Sequence, residues 1–266
     1  MEKYVFADGH ETPYISSRQN PRVTSAAKLS DKKYREISGR FLCEGVKLTL
    51  EAAKYGRLCE VYVRESDAEK YRDAVSSAEA AGCEVFVLSD PAFDKITTEK
   101  APQGIISVAE CAPFQPVCFE DGNILFLDSI RDPGNLGTII RSACAFGNVS
   151  VVLYSCADLY NTKTVRAAMG ALFKTRTAVL NDAAAFFGEC KKQGRRVLGA
   201  ALEADSLKLG HYETRCNDVI VIGNEGHGIS PEIGEMCDEF VLIPMNENTE
   251  SLNASVAASV ILWEYS

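Results

Sequence analysis

Five short apolar runs in the second half of the chain constrain its fold most: NILFLDSI (123–130), VSVVLYS (149–155), RRVLGAAL (195–202), DVIVIGN (218–224) and EFVLIPM (239–245). Each has the length of a strand, and the stretches between them are helical in pattern. Apolar runs alternating with helices indicate strands buried on both faces, hence an α/β domain with a mostly parallel, helix-covered sheet. Ligands of such sheets gather beyond the carboxyl ends of the strands. The polar and glycine-rich sequences fall at those ends: SIRDPGNLG after the first run, GNEGHG after the fourth and MNENTESLNAS after the fifth.

The first hundred residues form a separate α/β pattern. Helices are expected around 26–38, 46–55 and 67–81, and strands near 41–45, 57–63, 83–89 and 104–110. The Pro-bearing stretch ECAPFQPVCFEDGN (110–123) breaks the periodicity and reads as a linker, so the expected domains are 1–112 and 118–266. A chain of 266 residues has room for two cores of that size.

Net charge of −9 argues against a protein that coats nucleic acid non-specifically, since that work needs a large basic surface. The distribution is uneven, however. From Arg18 to Arg57 the chain carries ten Lys and Arg against four acids, a locally basic segment that by charge alone could equally be a solvated helix face. The ten cysteines are scattered, with no CxxC pair and no histidine at zinc spacing; no metal site is expected, and the thiols read as small core residues of a reducing compartment. No apolar run approaches the roughly 20 residues of a membrane span, and the start, MEKYVFADGHETPY, is too acidic for a targeting peptide. No membrane partner and a cytoplasmic location are expected.

Three loops carry candidate chemistry. In DPGNLGTIIRSACAFG (132–147), Pro133 and Gly134 turn the chain, Asn135 is expected to cap a helix, and Arg141 lies nearly two turns inside it. Flanked by Ile139, Ile140, Ala143 and Cys144, Arg141 reads as a buried anion-binding guanidinium, or else as a helix arginine reaching to water. In IGNEGHGIS (222–230) three glycines after a buried strand let the backbone approach a ligand. Their spacing is GxxGxG after a late strand, so the dinucleotide fingerprint fails in order and in place. Glu225 is a candidate site acid or a solvated loop acid, and His227 a spectator. In IPMNENTESLNASVAASVILWE (243–264) a helix is expected to start near Ser251 or Asn253, with small residues Ala254, Ser255, Ala257, Ala258 and Ser259 permitting close packing.

Taken together, Asn135-x-Gly137-x-x-x-Arg141, Asn224-Glu225-Gly226-x-Gly228 and Ile243-Pro244-Met245 with Ser251-Leu252-Asn253-x-Ser255 resemble the SpoU/TrmH family of SPOUT methyltransferases. TVRAAMGALF (164–173) is similar to the family's connecting helix, although a serine is common where this chain has Ala168. SSRQNPRV, KKYRE and FLCEGVKLTLEA resemble the substrate-binding domain of rRNA-directed members, itself similar to a ribosomal protein, which makes the basic segment an expected RNA-contact surface.

The resemblance implies a trefoil-knotted catalytic domain that binds S-adenosylmethionine at Gly223, Gly226, Ile243, Met245 and Leu252. It implies methylation of a ribose 2′-hydroxyl in structured RNA, 23S-type rRNA first and tRNA next, by a homodimer joined through the carboxyl-terminal domain. The family assigns the catalytic role to the arginine matching Arg141, with Asn135, Glu225, Ser251 and Asn253 orienting it and the ribose. A guanidinium does not give up its proton in proteins, so an electrostatic clamp on phosphate and alkoxide fits Arg141 better than a base. Two rival classes are a non-catalytic RNA-binding protein with a degenerate methyltransferase body and a nucleotide-cofactor oxidoreductase; intact motif residues oppose the first and the failed fingerprint the second.

Overall fold

The computed structural model describes residues 2–112, 117, 119, 122–147, 149–203, 205–246 and 251–266. Most of the expected linker (113–116, 118, 120–121) and residues 247–250 of the third loop lie outside these. Two compact units emerge: Met1–Ala112 with Tyr160–Phe173, and Pro113–Leu159 with Lys174–Ser266.

In the first unit, β1 (Lys3–Val5), β2 (Glu11–Ile15), β3 (Arg40–Glu44), β4 (Leu58–Arg64), β5 (Glu84–Leu88) and β6 (Ile105–Glu110) form one mixed sheet in the order β1-β2-β5-β4-β6-β3. Its faces are covered differently. On one, α1 (Pro21–Lys28) sets Val23, Ala26 and its following Leu29 against Leu42, Tyr62, Phe86 and Phe93. On the other lie Val61, Val63, Val85 and Val87 with Tyr71 and Val75, the latter from a later helix. The single helix expected over 26–38 is two, α1 and α2 (Lys32–Ser38), because Asp31 restarts the chain as an N-cap accepting from the Lys33 N–H. After α3 (Val46–Lys54), the helix expected from 67 begins only at α4 (Arg72–Ala80), with two 3-10 turns over 65–71 before it. A short α5 (Asp90–Phe93) follows β5.

The second unit is one seven-stranded sheet, every neighbouring pair parallel. Its elements are β7 (Asn123–Asp128), α6 (Pro133–Phe146), β8 (Val149–Tyr154), β9 (Thr177–Leu180), α8 (Ala183–Lys192), β10 (Val197–Ala200), β11 (Leu207–Lys208), β12 (Val219–Ile222), α9 (Pro231–Gly234), β13 (Glu239–Leu242) and α10 (Ala254–Glu264); α7 (Thr162–Ala168) belongs to the first unit. The order is β11-β13-β10-β12-β7-β8-β9. β9 and β11 add two strands to the five expected. Both are edges, short and only partly buried, so neither writes an apolar run into the sequence.

All six residues of β7 and all four of β12 are buried. Ile124 and Phe126 pack with Phe186, Phe187 and Cys190 of α8, while α6 and α10 cover the opposite face. Each such side chain contributes about 1.5–3 kcal/mol relative to exposure. From β7 the chain moves to β8 on one side, and from β12 it moves past β10 to β13 on the other. The loops after β7 and β12 therefore diverge over a crevice, the position where open α/β sheets hold ligands.

Candidate active site

Three loops meet at this crevice, and the first is set by its turn chemistry. Asp128, buried at the end of β7, accepts the Ser230 N–H on Oδ2 at 2.7 Å and so ties β7 to the segment after β12. Ser129 follows in the left-handed region (φ 58°), a conformation that costs a non-glycine residue energy and is kept only where neighbours enforce it. Its carbonyl accepts Asn224 Nδ2 at 2.8 Å. α6 then starts on Asp132, whose carboxylate accepts the Asn135 N–H at 2.8 Å, with Pro133 in the first turn. Asn135 is thus inside the helix and not its cap. Asp132 satisfies the orphan N–H, which frees the Asn135 side chain to cross to the other loops.

The second loop closes on itself through Asn224. Its N–H donates to the Gly228 carbonyl (2.8 Å), its carbonyl accepts the Gly228 N–H (3.0 Å), and its Oδ1 accepts the Gly226 N–H (2.9 Å). Only glycine fits at 223: a Cβ there would stand 2.2 Å from the backbone of Gly228 and Ile229. The turn leaves Glu225 pointing back at α6, where its Oε1 accepts Asn135 Nδ2 at 2.9 Å. Burial pushes the Glu225 carboxyl up, but the bonds from Asn135 and from the backbone N–H groups of Glu225, Arg131 and Asp132 outweigh it and hold the group below the usual carboxylate range.

In the third loop Asn253 caps α10, its Oδ1 accepting from the N–H groups of Ser255 and Val256. Its Nδ2 donates to Asn135 Oδ1 at 3.0 Å. Asn135 is consequently the hub, giving to Glu225 and receiving from Asn253. α10 packs against α6 through small residues, with Ala258 fully buried and Ser142 Oγ 2.7 Å from Ser259 Oγ.

Beside this bridge lies a cavity of about 310 Å3. Gly223, Gly226, Ile243, Met245 and Leu252 all line it, together with Glu225 and Ser251 and an apolar wall from Ala200, Leu202, Val241, Ala254 and Ala257. Arg141 is placed otherwise. It is exposed, neither lining the cavity nor, among the described residues, bonded to Asn135, Glu225, Ser251 or Asn253. Its apolar neighbours Ile139, Ile140 and Ala143 face the core, whereas Thr138, Arg141 and Ala145 fall on the outer stripe of α6, so sequence adjacency misstated its burial. His227 is exposed, with its Nδ1 3.4 Å from Asn224 Oδ1.

Asp128 and Asp132 hold the loops without having stood among the sequence candidates, and Asn224, quoted there as a motif residue, had no loop-closing role assigned. The signal for the first was present, an acid closing the apolar run NILFLD. Among the described residues no group of three or more His, Cys, Asp or Glu could hold a metal, no two cysteines form a disulfide, and no helix is long and apolar enough to cross a membrane.

Comparison with known proteins agrees with this architecture. Residues 122–263 match the SpoU rRNA Methylase family and residues 20–107 the MRM3-like substrate binding domain. The chain is 33% identical over 253 residues to the 23S rRNA (guanosine(2553)-2′-O)-methyltransferase RlmP of Bacillus subtilis (strain 168), covering 94% of this chain and 97% of that one. It is 31% identical to the 23S rRNA (guanosine-2′-O-)-methyltransferase RlmB of Coxiella burnetii (strain RSA 493 / Nine Mile phase I), covering 87% and 95%. The crystal structure of the AdoMet-bound rRNA methyltransferase from Sinorhizobium meliloti is similar with a TM-score of 0.81 at 27% identity, over 95% of this chain and 97% of that one. The crevice, its three bridged loops and these matches lead to one assignment: the chain belongs to the SpoU rRNA methylase family and carries an MRM3-like substrate-binding domain ahead of its methylase domain.

Proposed function

We propose that this protein transfers a methyl group from S-adenosylmethionine to a ribose 2′-hydroxyl of large-subunit ribosomal RNA. The observation that carries the reading is the Glu225–Asn135–Asn253 bridge, which gathers the ends of three strands beside one cavity. The residues fit the cofactor. The cavity falls at the lower end of the about 300–1,000 Å3 of small-molecule sites. Its aliphatic wall suits a purine and a thioether-like chain, and at Gly226 no side chain stands between a ligand and the backbone. Gly223, Gly226, Ile243, Met245 and Leu252 would hold it. When bound, S-adenosylmethionine supplies an electrophilic methyl group on a sulfonium centre.

The remaining chemistry falls to the chain. Most of the acceleration comes from holding the hydroxyl oxygen in line with the methyl carbon, a positioning effect. Glu225, kept ionised by its donors, fixes Asn135, and the pair with Asn253 and Ser251 sets the position of the ribose. Arg141 serves as a fixed positive charge for the RNA phosphate and the developing alkoxide, with the proton leaving to phosphate or water. Arg141 lies on the exposed stripe of α6 with Thr138, which itself lines a shallow groove with Val256, Val260 and Trp263 of α10. Val256 and Trp263 are 48% and 64% exposed, an apolar face that a second copy of the chain would cover. On this reading the enzyme is a cytoplasmic homodimer through its methylase domain, with a carboxyl-terminal segment threaded as a knot. The amino-terminal domain, residues 1–112, grips the RNA through its locally basic segment from Arg18 to Arg57.

The test is to incubate the protein with methyl-labelled S-adenosylmethionine and 23S rRNA, 16S rRNA and tRNA separately, then map 2′-O-methyl groups. A single new site in 23S rRNA is expected; modification confined to tRNA, or none with cofactor bound, rejects this target.

A further inference from the structure

Helix α2 is held to its unit in an unusual way. Of its seven residues only Arg35 is buried, and the Arg35 guanidinium donates to the carbonyls of Leu29 (2.7 Å) and Ser30 (2.8 Å), just past the end of α1. A cation on the orphan carbonyls of a helix end is favourable. The helix is therefore clamped through polar atoms, and its own apolar side chains are left outside. Ile37 is 72% exposed and Tyr34 37% exposed, one turn apart on the same face.

These two side chains border a groove between α1 and α2 whose other walls include Gln19, Ser25, Lys28 and Leu29. Lys28 Nζ stands 5.2 Å from the centre of the Tyr34 ring. Lys28, Lys33 and Arg18 enter no ion pair among the described residues, while the acids nearest in sequence are occupied: Asp31 caps α2 and Glu36 meets Lys32. Gln19 and Ser25 offer side-chain donors and acceptors with no partner among the described residues. An exposed aromatic ring, an aliphatic neighbour, unpaired cations and two adaptable polar groups are together what an unpaired nucleobase requires: a stacking surface, charge for its phosphate and groups for its edge.

We propose that the α1–α2 groove is a subsite for one unstacked base of a single-stranded RNA segment, taken against Tyr34 and Ile37 with its phosphate on Lys28 and Lys33. This rests on the RNA-directed reading above and adds to it a place where loops are told from duplex. Charge decides the occupant, because a cationic rim beside an aromatic ring suits a polyanion carrying flat bases better than a peptide or a second acidic copy of this chain.

The experiment uses the full-length protein and two fluorescein-labelled RNAs, a hairpin with an eight-nucleotide loop and a fully paired duplex of the same stem, followed by anisotropy across a salt series. The wild type is expected to favour the hairpin. Tyr34→Ala should weaken hairpin binding about tenfold, as loss of one stacked base does, with duplex binding and the salt slope unchanged. Tyr34→Phe should restore it, and Lys28→Ala with Lys33→Ala should flatten the salt slope. Tyr34 and Ile37 are exposed, so thermal midpoints should stay within a degree or two of wild type and exclude misfolding. Equal affinity of Tyr34→Ala for the hairpin, an equal loss for hairpin and duplex, or a change in mass by light scattering with Ile37→Ser, pointing to a protein occupant, each overturns the proposal. S-adenosylmethionine binding by calorimetry and methyl transfer by the wild type report separately on the enzymatic reading.

Discussion

Asn135 and Arg141 lie on the same helix six positions apart, yet their surroundings differ completely. Asn135 is saturated by Glu225, Asn253 and Asp132, whereas Arg141 faces outward with no partner among the described residues. A residue that stabilises nothing in its own chain can be removed without structural cost, which makes Arg141→Ala a clean probe. Methyl transfer should fall by two to three orders of magnitude, roughly the effect of losing a charge-stabilising donor, while calorimetric cofactor affinity stays within about twofold. Turnover near wild type would falsify its catalytic role. Glu225 gives a pH test. Its carboxyl titrates below the ordinary 4.5, so the bridge to Asn135 contributes fully at neutral pH and is lost only as pH falls through that lowered value. Cofactor affinity followed from pH 7 to 3.5 should hold until below 4.5 and then drop, and Glu225→Gln should abolish that drop.

At the scale of elements, α10 does two jobs that can be separated. Asn253 is both its N-cap and the partner of Asn135. Asn253→Ala should cost about 1 kcal/mol in stability through the lost cap, together with activity. Asn253→Ser keeps a capping oxygen but cannot reach Asn135 with a second donor, so the thermal midpoint should recover while kcat does not. Recovery of both would make Asn253 a cap and nothing more. The contact of α10 with α6 depends on small residues. Ala258→Leu, at a fully buried position, should overpack the seam and cost about 1–3 kcal/mol by denaturant unfolding.

For the whole molecule, the homodimer proposed above would cover the exposed apolar face of α10 and the outer stripe of α6 that carries Thr138 and Arg141. Val256→Asp combined with Trp263→Arg sets charges in that face without touching the core. Light scattering should then report half the wild-type mass, and activity should fall with it. A wild-type mass equal to a single chain, with full activity, removes the dimer from the mechanism.

Much of this was legible beforehand, for physical reasons that can be stated residue by residue. Buried parallel strands must be apolar throughout, so β7, β8, β10, β12 and β13 announced themselves, and strand-end loops rich in glycine and amides pointed to the candidate site. The edge strands β9 and β11, half in solvent, left no such trace. Sequence by itself determined which chemistry is available, because Asn135, Glu225, Ser251, Asn253 and the glycines exist in that order whatever the fold. Only the tertiary structure decided who meets whom. It took the divergent crossovers at β7 and β12 to bring Asn135 within 2.9 Å of Glu225, ninety residues away, and the helical twist of α6 to turn Arg141 outward while its apolar neighbours went in. Side-chain identity is local, but burial and partnership belong to the packed chain.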